Sequence, residues 1–181
     1  DKVFEYSKKL SKKLNVHKTV EFEKFLTVKI PYSNCEIEVA NARKETYDKE
    51  SRKPKTVELT TVENDLIRRD FKINSIASSL NNKNFGLLVD PFNGLVDINK
   101  GMIDTPTDPD TTFIDDPLRM LRAIRFAAQL EFEIHPRIME SININKERIK
   151  IISQERITDE IIKILKTNKP SIAFYLLKEL D

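Results

Sequence analysis

Three arginines at intervals of three residues are the clearest candidates for chemistry in this sequence: Arg119, Arg122 and Arg125. At about 100° per residue, they occupy one side of a predicted helix. The apolar residues occupy the opposite side: Met120, Leu121, Ile124, Ala127 and Ala128. Arg122 and Arg125 have no carboxylate three or four residues away, so the helix does not neutralise them. A solvated charged face is the alternative, but an unmixed row of guanidinium groups favours contacts with phosphates or nucleobase edges.

An acidic residue at the start of the same helix adds a more specific possibility. Asp116 is placed to cap the helix, with Pro117 at its first position. Cytosine and adenine both carry an exocyclic amino donor beside a ring-nitrogen acceptor. A carboxylate accepts from the amino group while a guanidinium donates to the ring nitrogen, so Asp116 and Arg119 together would select these two bases. Mismatched polar groups of this kind support discrimination of about 10⁴-fold.

Composition restricts the class of protein. The 181 residues are 39% hydrophobic and 33% charged, as in a folded globular chain, and the net charge is only +2. Nucleic-acid binding would therefore depend on local clusters of positive charge. No apolar run approaches the roughly 20 residues that cross a bilayer, the first residues lack the apolar core of a secretory signal, and the single cysteine, Cys35, cannot form an internal disulfide. These features predict a cytoplasmic protein without a membrane segment.

The order of elements predicts two parts. Two β-rich runs separated by PYSN, FLTVKI and CEIEVANAR, indicate a hairpin, and SIASSL and FGLLVD indicate a second one. Residues 43–55 are charged and predict an exposed loop, and Thr60 with Glu63 predicts a capping box at a helix start. After Asp110 all patterns are helical. We therefore expect an α+β fold with an α/β part over residues 1–112 and an all-helical part over residues 113–181.

Four segments resemble, in order and spacing, the signature motifs of class II tRNA nucleotidyltransferases, the CCA-adding and poly(A)-polymerase-like family. They are LIRRDFKINSIA, DPFNGLVDINKGMI, FIDDPLRMLRAIRFAAQL and SQERITDEI, and EIEVANARKETY extends the match upstream. The resemblance implies a nucleotidyltransferase head followed by a helical neck. It also implies an enzyme that adds C and A to the 3′ end of tRNA from CTP and ATP with Mg²⁺. An enzyme that adds only A or makes poly(A), and an inactive RNA- or nucleotide-binding module, are the alternatives.

The resemblance implies nucleotide-binding roles for two groups of residues near the middle of the chain. The RRD motif, which contacts the incoming nucleotide and its ribose in the family, falls on Arg68, Arg69 and Asp70. For part of this trio, bracing of the helix end is the alternative role. The motif SQERITDEI supports the neck helices, which implies a structural role for Glu155 and Arg156.

The same resemblance covers the arginine helix. The family's base-reading motif falls on Asp115, Asp116 and Arg119, and two further family arginines near the nucleotide and its phosphates match Arg122 and Arg125. The implied base reading agrees with the hydrogen-bonding argument above. Asp115, one turn before Arg119, is an alternative partner for that guanidinium.

The segment DPFNGLVDINKGMI matches a family segment regarded as a hinge between head and neck. Gly94 suits a tight backbone turn at this hinge. Asp104 stands where the family often has an arginine, so no arginine role carries over to this point.

One acidic residue matches the family's third active-site carboxylate, Glu38, which implies a catalytic and Mg²⁺-binding role. Strand alternation places it on one face together with Glu36, the alternative candidate. Two Mg²⁺ ions need several carboxylates, and the family's Asp-x-Asp strand and Gly-Gly turn do not occur here. Asp108-Pro109-Asp110 has the right spacing, but proline argues against a central strand and predicts a loop. Since Met is absent at position 1 and the last helix pattern is cut, we expect an inactive piece of a longer enzyme.

Overall fold

The computed structural model describes residues 2–48 and 51–181. Its N-terminal part combines helices with small antiparallel sheets, and its C-terminal part consists mainly of packed helices. Two groups of buried apolar side chains stabilise these parts, a small group under the first sheet and a larger group around a central helix. This arrangement confirms the predicted α+β fold. In the described ranges, no helix is long and apolar enough to span a membrane.

The chain begins with one helix and three antiparallel strands: α1 (Lys2–Lys13), β1 (Val20–Phe22), β2 (Thr27–Tyr32) and β3 (Cys35–Ala40). Val3 of the helix packs against Val28 and Ile30 of the middle strand. The antiparallel pairing of β2 with β3 confirms the first predicted hairpin. Ile37 packs against the same core, so alternation turns its neighbour Glu38 to the opposite face.

Residues 43–55, predicted as an exposed loop, instead belong to a second antiparallel hairpin, β4 (Arg43–Asp48) and β5 (Ser51–Leu59). Residues 49 and 50, which the predicted loop also included, lie outside the described residues. The prediction was wrong because it depended on charge alone, whereas Thr46 and Tyr47 are residues that favour strands. Backbone pairing in a two-stranded ribbon needs no apolar face, so hydropathy does not reveal it.

Helix α2 (Val62–Ile67) has its cap one residue later than predicted. The Thr61 hydroxyl accepts a hydrogen bond from the Asn64 amide at 3.4 Å. Thr60 instead accepts from the Asn64 side chain at 3.0 Å. The predicted box of Thr60 with Glu63 was therefore wrong by one position, a shift that neighbouring threonines at a helix start allow. The helix ends immediately before the RRD motif.

A short hairpin and a short helix follow: β6 (Ala77–Ser78), β7 (Leu88–Val89) and α3 (Gly94–Lys100). The pairing of these strands confirms the second predicted hairpin. The left-handed turn lies at Asn93, with φ of 60°, and not at Gly94 as predicted. Gly94 meets a different requirement, because a Cβ there would lie 2.2 Å from the Lys72 carbonyl oxygen. Helix α3 thus packs directly on the backbone of the 3₁₀ helix Lys72–Asn74 that follows the RRD motif.

The remaining elements are mostly helices: β8 (Met102–Ile103), α4 (Pro109–Asp115), α5 (Leu118–Leu130), β9 (Glu133–Ile134), α6 (Pro136–Asn145), α7 (Gln154–Leu165) and α8 (Pro170–Leu180). Helix α5 is central and packs against α4, α7 and α8. The largest buried apolar residues of this part are Phe71, Phe113, Ile103, Ile124, Ile138 and Ile164. Residue 112 lies inside α4, and the predicted division of the chain there stays a prediction.

The aspartates of the segment Asp108–Asp110 start a helix and do not lie in a loop. Asp108 accepts a hydrogen bond from the Thr111 amide at 2.9 Å and so caps α4. Asp110 accepts hydrogen bonds from Ser141 and from the Asn145 side chain of α6. The predicted loop was therefore wrong, because the proline that interrupts a strand is well suited to the first turn of a helix.

Candidate functional site

An open cavity of about 540 Å³ lies where β3, the end of α2 and the start of α5 come together. Twelve residues line it: Glu38, Arg43, Arg68, Arg69, Asp70, Asn74, Asp116, Leu118, Arg119, Arg122, Phe126 and Arg156. Six are arginines and three are carboxylates, so the cavity favours anionic ligands such as phosphates. The cavity is lined by Glu38, by the RRD motif and by Asp116, Arg119 and Arg122, but not by Asp115 or Arg125.

Asp70 connects the RRD motif with α5. One of its oxygens accepts from Nε and Nη2 of Arg122 at 2.7 and 2.6 Å. The other accepts from the Phe71 amide and the Asn74 side chain at 2.9 and 3.0 Å. The buried carboxylate therefore accepts four hydrogen bonds from the protein, and two of them orient the guanidinium of Arg122. Its predicted contact with a nucleotide ribose stays a prediction.

Arg68 and Arg69, at the end of α2, differ in their surroundings. Arg68 donates from Nη2 to Asp65 at 2.6 Å and from Nε to the Arg43 carbonyl oxygen at 2.9 Å. Arg69 is half-exposed and reaches the same Asp65 carboxylate only at 3.4 Å. Arg69 is therefore the more available of the two for a ligand in the cavity, and Arg68 is the more constrained.

Asp116 and Arg119 do not contact each other through their side chains. Asp116 accepts from Nη1 and Nη2 of Arg156 at 3.3 and 2.8 Å and from the Leu118 amide at 3.2 Å. This last hydrogen bond lies at the start of α5, but the helix begins at Leu118 and its cap residue is Pro117, so the predicted cap at Asp116 was wrong by one position. Arg119 donates from Nη2 to the carbonyl oxygen of Arg68 at 2.7 Å. Each member of the predicted base-reading pair is therefore held at the cavity wall by a different group outside the pair.

Asp115, the alternative partner for Arg119, lies half-buried beside Asp116. Burial raises the pKa of Asp115, and this effect outweighs the attraction of Arg119, which acts to lower it. The neighbouring charge of Asp116 raises the pKa further. Asp115 does not line the cavity, in contrast to Asp116 and Arg119.

Arg125 does not line this cavity, and its predicted nucleotide contact stays a prediction. It is only 8% exposed and donates to Glu160 and to Gln129, both at 2.7 Å. Its guanidinium also lies 4.1 Å from the centre of the Phe126 ring. Six residues turn a helix by about 240° beyond a full turn, which leaves Arg125 about 120° away from Arg119. Arg119 and Arg122 thus face the cavity, whereas Arg125 is buried among the helices.

Glu38 lies on the exposed face of β3 and contributes a carboxylate to the cavity. Glu36, the alternative candidate, instead pairs with Lys29 at 2.6 Å and does not line the cavity. The position of Glu38 is compatible with its predicted catalytic role, which stays a prediction.

A two-metal site does not fit the described residues alone. Within residues 2–48 and 51–181, no group of three or more His, Cys, Asp or Glu side chains is arranged to hold a metal ion. Two Mg²⁺ ions require several oxygen ligands, and Glu38 supplies one carboxylate. The predicted Mg²⁺ cofactor stays a prediction.

Four lining residues were not singled out from the sequence: Arg43, Asn74, Leu118 and Phe126. Asn74 stands four residues after Asp70, a spacing that allows the observed hydrogen bond between them. Phe126 stands four residues after Arg122, whose guanidinium lies 5.4 Å from the ring centre. These spacings are visible in the sequence and could have predicted the two contacts. Only the fold shows that the side chains meet in one cavity. Arg43 lies just beyond β3, and no pattern marked it.

Two family models match the chain. One is described as the poly(A) polymerase head domain and covers residues 2–104. The other is described as the probable RNA and SrmB-binding site of polymerase A and covers residues 131–181.

Two relatives support the same assignment. The chain is 37% identical over 139 residues to a CCA-adding enzyme of Lactobacillus helveticus (strain DPC 4571), covering 76% of this chain and 34% of that protein. It is 41% identical over 132 residues to an A-adding tRNA nucleotidyltransferase of Aquifex aeolicus (strain VF5), covering 72% of this chain and 15% of that protein. The chain thus spans about a third or less of the length of these relatives.

A solved structure resembles the whole fold. A tRNA nucleotidyltransferase complexed with a primer tRNA and an incoming ATP analogue superposes with a TM-score of 0.84 and 30% identity, over 99% of this chain and 49% of that one. The head-domain model alone covers more than half of the chain. The chain therefore belongs to the family of tRNA nucleotidyltransferases and poly(A) polymerases.

Proposed function

We propose that this protein adds C and A to the 3′ end of tRNA, and that its arginine-rich cavity selects CTP and ATP without a nucleic-acid template. One observation carries the proposal. Asp116 and Arg119 stand on one wall of the cavity, each held by a third group, Arg156 for the aspartate and the Arg68 carbonyl for the arginine. The family assignment supports the reaction class, nucleotidyl transfer. The proposed substrates are inferred from the names of the relatives.

The chemistry of base selection follows from the remaining capacity of these two groups. Asp116 accepts three hydrogen bonds within the protein, and a carboxylate has about four acceptor positions. One position is left for the amino group of cytosine or adenine. The guanidinium of Arg119 has five N–H donors and uses one on the Arg68 carbonyl, so it retains donors for a ring nitrogen. Uracil and guanine present the opposite pattern and would leave the last acceptor position of Asp116 and the remaining donors of Arg119 without partners at the base.

The other arginines fit the common part of the substrates. Arg69 is half-exposed, and Arg122 is about one third exposed while Asp70 fixes its orientation. Both are therefore available for phosphate or ribose oxygens, to which a guanidinium binds with two parallel donors. Such contacts strengthen binding of every nucleoside triphosphate alike, so they leave the choice of base to Asp116 and Arg119.

Equilibrium binding of CTP, ATP, UTP and GTP to the 181-residue chain tests the selection step. We expect the wild-type chain to prefer CTP and ATP, and Arg119→Ala to reduce that preference while weak binding of all four nucleotides persists. Lys178→Ala removes an exposed positive charge from α8 and is the control, with the preference unchanged. Equal binding of the four nucleotides by the wild-type chain would show that the cavity does not read bases.

An A-adding enzyme is the second candidate, because the relative from Aquifex aeolicus with 41% identity is one. Both C and A suit Asp116 and Arg119, so nucleotide binding does not separate the two candidates. The full-length protein should be supplied with tRNA ending before CCA and with tRNA ending in CC. Extension of both substrates supports CCA addition, and extension of the second alone supports A addition. Nucleotide binding without any extension would favour an inactive binding module.

A further inference from the structure

A carboxylate that belongs to none of the predicted motif positions lies directly beneath the cavity. Asp65, on α2, is only 13% exposed. Its Oδ1 accepts from Nε and Nη2 of Arg68 at 3.1 and 2.6 Å. Its Oδ2 lies 3.4 Å from Nη2 of Arg69. One acidic group therefore contacts both arginines of the RRD motif, and it holds Arg68 through two donors of the same guanidinium.

The same carboxylate also fixes the start of β4. The backbone amide of Arg43 donates to Asp65 Oδ1 at 3.0 Å, and the Arg43 carbonyl oxygen accepts from Arg68 Nε at 2.9 Å. Burial raises the pKa of Asp65. The Arg43 amide and the charges of Arg68 and Arg69 lower it by more than burial raises it, so the net shift is downward. Asp65 is thus ionised at neutral pH and binds these donors as an anion.

The contacts of Asp65 extend to the base-reading arginine. Arg68, whose side chain Asp65 holds, provides the carbonyl oxygen that accepts from Arg119 Nη2 at 2.7 Å. Arg68 is the residue directly after α2, so its carbonyl direction depends on how that helix end is fixed. Asp65, Arg68 and Arg119 therefore form a chain of contacts from a buried anion to the donor that reads the base.

We propose that Asp65 is a positioning residue for nucleotide selection: it fixes the Arg68 backbone and thereby the guanidinium of Arg119. This inference rests on the proposed function of the cavity. Asp65 does not line the cavity, so its effect on selection acts through Arg68. Loss of its charge weakens the hold on the Arg68 side chain, which still donates to the Arg43 carbonyl oxygen, and so loosens the Arg68 carbonyl that positions Arg119.

The first test replaces Asp65 by asparagine, which keeps the shape and removes the charge. The measured quantity is the ratio of dissociation constants for UTP and CTP on the 181-residue chain. Loss of charge-assisted hydrogen bonds corresponds to about tenfold or more in an equilibrium constant, so we expect this ratio to fall by about tenfold. Glu63→Gln removes an exposed negative charge from the same helix and should leave the ratio unchanged.

Arg68→Lys breaks the same contact from the other side. Lysine keeps the positive charge but cannot supply two donors of one rigid guanidinium, so we expect a similar fall in the ratio. This variant also decides the question if Asp65→Asn does not fold. An unchanged UTP/CTP ratio in the folded Asp65→Asn chain, or in Arg68→Lys where Asp65→Asn is unfolded, would overturn the positioning role.

Coupling between variants separates positioning from a general structural effect. If Asp65 acts through Arg119, Asp65→Asn should not change the UTP/CTP ratio further in an Arg119→Ala chain. Independent, additive losses in the double variant would contradict the proposal. The outcomes also distinguish the two claims. A wild-type chain that binds the four nucleotides equally would overturn the proposed function and this inference with it, whereas a selective wild type with a selective Asp65→Asn overturns the inference alone.

Discussion

Replacing Arg125 by methionine separates a structural arginine from a nucleotide-binding one. Arg125 stands in the same row as Arg119 and Arg122, yet it is buried and pairs with Glu160, which is only 2% exposed. Methionine fills a similar volume and removes the charge. We expect the variant to be less stable and to bind CTP and ATP as the wild type does, because Arg125 does not line the cavity.

The size of the effect follows from the surroundings of the ion pair. Removing one partner of a buried pair costs about 3–5 kcal/mol. Lys163 also contacts Glu160 at 2.7 Å, but its side chain is 53% exposed, so it compensates only in part. We expect a loss of about 3 kcal/mol, which corresponds to a fall in Tm of roughly 6–12 °C for a chain of this length. Replacing Arg125 and Glu160 together by apolar residues should recover much of this loss.

Acid sensitivity provides a second measurement of the same pair. Burial raises the pKa of Glu160, but hydrogen bonds and charge from Lys163 and Arg125 lower it, so the net shift is downward. A lowered pKa contributes stability above the unfolded value of about 4.3, and this contribution is lost as the pH falls through the folded pKa. Without Arg125, burial is opposed by Lys163 alone, so the loss should begin at a higher pH.

Urea unfolding at several pH values and titration with CTP and ATP measure both effects. Lys178→Met, which changes an exposed lysine of α8, is the matched control and should alter stability by less than about 0.5 kcal/mol. Arg125→Met with normal stability and clearly weaker nucleotide binding would refute the reasoning, because it would return Arg125 to the nucleotide site.

Three further substitutions test other parts of the structure. Glu38→Gln should reduce turnover of the full-length enzyme by orders of magnitude with an unchanged Tm, since Glu38 is exposed; near-normal turnover would remove its catalytic role. Arg122→Ala should weaken CTP and ATP binding alike, about tenfold, because it removes a guanidinium that Asp70 orients for a phosphate or ribose contact, and such a contact carries no base information. A selective loss of one nucleotide would contradict this. Gly94→Ala should cost about 1–3 kcal/mol in urea unfolding, because its Cβ would meet the Lys72 carbonyl; a stability equal to that of the wild type would show that the backbone gives way freely.

Local patterns predicted what depends on neighbours in the sequence. Alternating β-favouring residues predicted the β2–β3 hairpin, and the predicted cap of α5 lay one residue before the observed one. The β4–β5 hairpin was missed because its strands pair with each other through the backbone and their charged residues gave no apolar pattern. Periodicity likewise placed three arginines on one side of a helix, but it could not show that a spread of about 120° carries the last of them into the core.

The partners of the site residues were beyond local patterns for a different reason. Asp70 and Arg122 are 52 residues apart, Asp116 and Arg156 are 40 residues apart, and no spacing rule connects them. The sequence motifs identified most of the groups that meet in the cavity. Only the three-dimensional fold shows which carboxylate pairs with which arginine. The distinction between an arginine that is free to bind and one already constrained by a partner is therefore a tertiary property.

Pairing of acids and arginines in the cavity has a consequence for selectivity. Asp65, Asp70 and Asp116 each hold an arginine of the cavity, which reduces the positive charge that a triphosphate experiences. Unpaired arginines would bind phosphates more strongly, but they would do so for all four nucleotides, because these share the same triphosphate. Discrimination requires donors and acceptors with fixed positions at the base, and a mobile guanidinium adapts to any base edge. A cavity that gives up part of its attraction for phosphate in order to fix its arginines is therefore suited to choosing among nucleotides, and less suited to holding any one of them tightly.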